Sequence, residues 1–261
     1  MPSASTRPPD ISSAGSATGT GSRSGLWAVL GLPVLLLVLC LVLFEVTDLD
    51  LRLQDAFYSP ASGWLIDRHD PVFRAAFYTV PKVMLVSIGI GSIAVLLASL
   101  KCARLRTFRR TCTLLVLALA IVPGTVSILK MTTNVYTPAQ TTRYGGKKPY
   151  VKLFESYPEG FQQKKPGRGY PAGHASGGFA LLVLFFVFKR PGLRILGLGA
   201  GLFVGWAMGL YQMLRGAHYL SHTIVSMLLA WILIVLLVRV ADRIRARFSS
   251  GNAQEGAFDD H

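Results

Sequence analysis

TRYGGKKPYVKLFESYPEGFQQKKPGRGYPAGHASGG, residues 142–178, runs into two apolar stretches and then into LRGAHYLSH, residues 214–222. Three of the chain's five histidines, His174, His218 and His222, stand in it at the ends of long apolar segments. Ionisable side chains at a membrane boundary are costly to hold there, so their presence points to function. The rest of the chain reads as a device for keeping this stretch on one side of a bilayer.

Of 261 residues, 51% are hydrophobic and only 15% charged, with a formal net charge of +14. A soluble domain carries about 25% charged residues. Apolar runs near the length of a bilayer crossing recur instead. In so apolar a chain the positive balance marks the cytoplasmic flanks of spans rather than a nucleic-acid surface. Cys40, Cys102 and Cys112 form no closely spaced framework, so neither disulfide stapling nor a Cys-x-x-Cys metal site is expected.

Residues 1–24, rich in Ser, Gly, Thr and Pro, read as a disordered tail, and residues 248–261 as a second one. Between them, residues 25–247 form one all-α domain, an integral membrane six-helix bundle with its active site at one membrane face. The spans fall at about 26–46, 80–100, 111–129, 177–188, 195–214 and 219–238. The first is too long for a signal-peptide core and is kept.

Lys101, Arg104, Arg106, Arg109 and Arg110 crowd one connection, Lys189, Arg190 and Arg194 another, and Arg239, Arg243, Arg245 and Arg247 follow the last span. With six spans all three clusters share a side, which is then cytoplasmic and carries both termini. The expected location is the inner membrane, with the site facing the periplasm or exterior. The outer connection 130–176 is also basic, against the positive-inside rule, and cations kept on the disfavoured side point to an anionic ligand. The aromatics Phe57, Tyr58, Trp64, Phe73 and Phe77 of the first outer connection read as an interfacial belt. The glycines of GLGAGLFVGWAMG, 197–209, read as close helix packing.

The outer face offers Lys130, Arg143, Lys147, Lys148, Lys152, Lys164, Lys165, Arg168 and Arg215 beside the histidines. Several fixed cations suit a phosphate ester, whose oxygens need donors as charge redistributes. Histidine can act as nucleophile or as general acid near neutral pH. His174 lies in Pro171-Ala172-Gly173-His174, a Pro/Gly turn before a helix, where backbone N–H groups of Gly173 and its neighbours favour an anion. His218 and His222, four apart, share a helix face, with Arg215 one turn earlier. The three histidines are also a conceivable zinc set, but the cations around them repel a metal and no HExxH pattern is present. No metal and no cofactor is expected.

These residues resemble the type-2 phosphatidic acid phosphatase superfamily of membrane lipid phosphatases, over about 130–226. Its motifs are Lys-x6-Arg-Pro, Pro-Ser-Gly-His and Ser-Arg-x5-His-x3-Asp. Lys130 to Pro138 keeps the lysine and proline, with Thr137 in the arginine position. Ala172 replaces the serine of the second motif, Gln212 the arginine of the third, and His222 its aspartate, while His174 and His218 are retained. Arg143, Lys147 or Lys148 stands in for the first lost cation, and Arg215 for the second. No carboxylate occurs between Glu159 and Asp242, which leaves His222 as the partner that accepts a hydrogen bond from His218.

The resemblance implies two displacements. His218 attacks phosphorus, His174 protonates the departing lipid oxygen and then activates water, and Lys130, Arg143 or Lys148, and Arg215 hold the phosphate. The substrate class is a phospholipid, polyprenyl or lipid A type phosphate or pyrophosphate. The oligomeric state is not readable. A phosphotransferase on the same scaffold remains open. A channel or transporter is disfavoured, because polar groups gather at one face rather than at mid-membrane.

Overall fold

The computed structural model describes residues 27–255, with side chains over 29–247. The expected tail 1–24 lies outside the described residues. The chain is overwhelmingly helical. Helices α1 (Val29–Val46), α3 (Pro71–Lys101), α4 (Ala103–Leu129) and α6 (Pro191–Leu214) are long and apolar enough to cross a membrane. So is Leu220–Arg247, within α7 (Leu220–Glu255). The short α2 (Leu49–Asp55) and a two-residue hairpin, β1 (Tyr58–Ser59) with β2 (Gly63–Trp64), lie between α1 and α3.

The expected fourth span is the apolar run α5 (Gly173–Val187). It is shorter than the others and tightens to a 3-10 helix at Ala180–Val183. The long membrane-length helices among the described residues therefore number five, with α5 buried between them as a sixth, shorter element. Helix α7 continues to Glu255, beyond the boundary expected for the C-terminal tail.

Helix α5 is the core. Ala175, Phe179, Ala180, Leu182 and Val183 are enclosed by Leu114, Ala118 and Val122 of α4 and by Ala230 and Ile234 of α7. Four glycines on one face of α6 make this possible, as their spacing suggests. A Cβ on Gly205 would lie 2.1 Å from the Phe179 ring, one on Gly201 2.7 Å from the Leu182 nitrogen, and one on Gly197 2.7 Å from the Leu184 Cβ. A Cβ on Gly209 would meet Thr223 of α7 at 2.5 Å. Only residues without side chains let α6 lie this close to α5 and α7.

The outer faces of α1 and α3 expose Leu35, Leu39, Val42, Val83, Ile90 and Leu97. Apolar surface this continuous fits lipid contact. Arg110 of α4 pairs with Asp242 of α7 at 2.9 Å, which brings two of the three basic clusters to the same end of the bundle. All three histidines of the opening stretch lie at the other end.

Candidate active site

Helix α5 begins at Gly173, so His174 stands in its first turn, as the Pro/Gly sequence suggests. Helix α7 begins at Leu220, just past His218, and His222 follows within its first turn. The ring centroids of His174 and His218 are 6.4 Å apart, and those of His218 and His222 5.6 Å apart. Residues distant in sequence thus meet at one end of α5.

The turn that carries Arg215 and His218 is fixed from three sides. Gln54 of α2 donates to the Met213 carbonyl at 2.8 Å, Ile66 N–H to the Leu214 carbonyl at 3.3 Å, and Ala139 N–H to the Gly216 carbonyl at 2.8 Å. Gly216 sits at φ 73°, and a Cβ there would fall 2.3 Å from Trp64. Trp64 therefore packs on the turn that carries Arg215 and His218.

His222 does not play the part the sequence suggested. Its Nδ1 lies 2.9 Å from the Gly169 carbonyl and 3.4 Å from His218 Nδ1. A carbonyl only accepts, so His222 Nδ1 carries the hydrogen and donates. It therefore cannot also accept from His218 through that atom. The Gly169 carbonyl faces His218 too and favours its protonated form, but burial, His222, Lys130 and His174 outweigh it. The result is a ring held well below the ordinary histidine range and so neutral at neutral pH.

Two cavities share His174 and Tyr78 in their walls. One, about 390 Å³, is lined by Arg68, His69, Arg74, Tyr78, His174, Gln212 and Arg215. The other, about 460 Å³, lies between α3 and α4 and pairs apolar walls, among them Leu85, Val86, Leu119 and Met208, with Lys82, Lys130 and His174. The His174 Nδ1 and Arg215 Nε atoms are buried without a hydrogen-bond partner. Buried polar atoms of this kind need a ligand or water. Lys130, at the end of α4, has its ammonium beside Gly173, 3.5 Å from where a Cβ would stand, and burial lowers its pKa.

Arg143, Lys147 and Lys148 are not in this group. Arg143 forms a two-pronged pair with Asp55, at 2.8 and 2.6 Å. Lys147 is exposed. Lys148 lies over the Tyr136 and Phe161 rings at 5.5 Å each, in a separate cavity with Thr137. Among the sequence-derived phosphate ligands, Lys130, Gly173 and Arg215 converge on the histidines.

Three further residues were not singled out from sequence. Tyr78 packs against His174 with its ring tilted at 53° and 4.9 Å between centroids. Gly169 holds His222. Asp50 accepts hydrogen bonds from the backbone and hydroxyl of Ser221, and burial, only partly offset by these bonds, raises its pKa to about 6. A polar pair four apart in α2, Asp50 and Gln54, both buried, was the available signal.

Two histidines and several cations gathered at one end of an apolar helical bundle suit phosphoryl transfer. The family model described as PAP2 superfamily matches residues 111–246, and the chain belongs to that superfamily, whose members are generally phosphoric ester hydrolases. No curated protein and no solved structure matches the chain.

Proposed function

We propose that this chain is a membrane lipid phosphatase that hydrolyses a lipid phosphomonoester or pyrophosphate through a phosphohistidine on His218. The observation that carries the reading is the His174–His218 pair. The rings stand 6.4 Å apart, and His174 lines two cavities, one with Arg215 and one with Lys130. That gap suits one phosphoryl group between an attacking and a protonating nitrogen.

In the first step the His218 Nε2 lone pair attacks phosphorus, because Nδ1 is on the His222 and Gly169 side. The phosphorus–oxygen bond to the lipid breaks, and His174 donates its proton to that oxygen. In the second step His174 takes a proton from water, the water oxygen attacks phosphorus, and the nitrogen–phosphorus bond breaks. Lys130 and Arg215 carry the negative charge of the phosphoryl oxygens throughout, which supplies the electrostatic stabilisation without a metal. His222, as donor to Gly169, holds the loop behind His218.

The cavity between α3 and α4 suits the substrate's apolar chain, and its mouth at His174 suits the phosphate. Sidedness rests on the basic clusters: with α5 counted as a crossing, they lie on the cytoplasmic side of the inner membrane and the histidines on the outer side. A transporter reading lacks support, because the ionisable groups gather at the ends of the bundle rather than at mid-membrane.

Rapid acid-free quenching of purified protein with a radiolabelled lipid phosphate tests the intermediate. A base-stable, acid-labile label on wild type that is absent from His218→Ala supports the mechanism. A label that survives in His218→Ala overturns it.

A further inference from the structure

Five cations line the two cavities at His174: Arg68, Arg74 and Arg215 in one, Lys82 and Lys130 in the other. No carboxylate lines either cavity. None of the five forms an ion pair among the described residues; the pairs present are Arg110–Asp242, Arg143–Asp55 and Lys152–Asp48. Lys130 and Arg215, the two closest to the histidines in motif order, already match the charge of one phosphomonoester. Arg68 and Arg74 are in excess of what that substrate needs.

Exposed arginines are ordinarily a solvated patch, and two features separate these from one. The first is the cavity itself, which Arg68 and Arg74 share with the unpartnered Arg215 Nε and His174 Nδ1. The second is the order of the segment. Asp67 accepts from His69 N–H at 2.7 Å, and Asp70 accepts from Val72 and Phe73 N–H at 2.8 and 3.0 Å. Both nearby carboxylates thus accept from backbone amides, and neither forms an ion pair with Arg68 or Arg74 among the described residues. Arg68 Nε donates to His69 Nε2 at 2.9 Å, and Arg74 and Lys82 lie over the Tyr78 ring at 5.9 Å each, with that ring against His174. These contacts place both guanidinium groups at the rim of the site.

We propose that Arg68 and Arg74 form a second anion subsite beside the His174–Arg215 one, and that the head of the substrate is a diphosphate. The inference rests on the phosphatase reading and narrows its substrate class. The phosphoryl group next to the His218 ring is the one transferred. The phosphoryl group one bridging oxygen away meets Arg68 and Arg74, whose planar forks suit its oxygens.

The test is done on the full chain in detergent with inorganic pyrophosphate and orthophosphate, titrated calorimetrically into wild type, Arg68→Gln/Arg74→Gln and Arg68→Lys/Arg74→Lys. Wild type binds pyrophosphate at least about tenfold more tightly than orthophosphate, the glutamine pair brings that ratio below about threefold, and the lysine pair restores part of it. A second arm compares a lipid diphosphate with the monophosphate of the same chain. The glutamine pair raises KM for the diphosphate about tenfold more than for the monophosphate, which separates a lipid head from free pyrophosphate. The proposal is overturned if wild type does not prefer pyrophosphate, or if the glutamine pair leaves the ratio where it was. A preference that is present and lost in the glutamine pair, with no hydrolysis of either lipid, keeps the subsite and sinks the hydrolase reading instead.

Discussion

Asp50 and Ser221, 171 positions apart, are joined twice: Ser221 N–H donates to one carboxylate oxygen at 2.9 Å, and its hydroxyl to the other. A residue of α2 thus caps the start of α7 from another part of the chain, between His218 and His222. The first turn of a helix leaves N–H groups without partners, and a remote carboxylate satisfies them as a local cap would. The turn that carries Arg215 and His218 is thereby anchored to the segment that follows α1.

The Asp50 cap predicts a split between two substitutions. Asparagine keeps an acceptor for Ser221 N–H and a group for its hydroxyl, so Asp50→Asn retains kcat within about threefold. Asp50→Ala leaves buried donors unpaired and lowers kcat at least about tenfold, with a smaller change in KM. Phosphate-release kinetics on both variants check this. Equal losses in the two would mean that the negative charge, not the cap, matters.

The same carboxylate makes stability depend on pH. Its pKa is raised by burial to about 6, above the unfolded value, so the folded state binds more protons between about 4 and 6. Stability therefore falls as pH rises through that window, by an order of about 3 kcal/mol for a shift of this size, and levels off above it. Asp50→Asn lacks this dependence. Thermal midpoints of wild type and Asp50→Asn at pH 4, 5, 6 and 7 check it: the variant's advantage grows with pH up to about 6 and then stays constant.

Gly216 meets two constraints at once, a left-handed φ of 73° and the Trp64 ring. A side chain in that backbone region costs about 1 kcal/mol or more before any clash. Gly216→Ala is expected to lower activity at least about tenfold by displacing the Arg215–His218 turn. Adding Trp64→Ala removes the clash but not the backbone strain, so the double variant recovers part of the loss. Activity and thermal midpoint of the single and double variants decide it, and a double variant worse than both singles combined contradicts the packing account.

The stripe on α6 gives a prediction of stability alone. Gly205→Ala places a methyl group 2.1 Å from the Phe179 ring in the centre of the bundle. Overpacking of this kind costs about 1–3 kcal/mol. Gly199, with open space around it, tolerates alanine. Melting of the two variants in detergent distinguishes the packed face from the free one.

How much of this was legible in sequence follows from the range of each interaction. The apolar membrane-length helices, the turn at Gly173 and the glycine stripe are local patterns, and each reappears in the structure; the helix face expected to be shared by His218 and His222 does not, because α7 begins at Leu220 and His218 precedes it. The shortness of α5 was legible in its brief apolar run, 177–188, but the 3-10 segment at Ala180–Val183 was not. Cation assignment failed because the deciding partners are distant in sequence. Arg143 is near the first motif in sequence, yet its partner Asp55 is 88 positions away and draws it out of the site. Arg68, Arg74 and Lys82 carry no local mark that sends them to His174. Asp50, likewise, announces itself only as a buried acid in an otherwise ordinary helix. His222 fills the motif position of an aspartate, but the carbonyl it meets, from Gly169, leaves no trace in side-chain spacing.

Phosphate release from a panel of phospholipid, polyprenyl and lipid A phosphates and diphosphates tests the central claim most directly. It uses purified wild type, His218→Ala and His174→Ala in detergent with EDTA. Hydrolysis by wild type in EDTA, with at least about a hundredfold loss in both variants, is the predicted result. Activity that persists in His218→Ala, or a wild type silent on every lipid, contradicts the account.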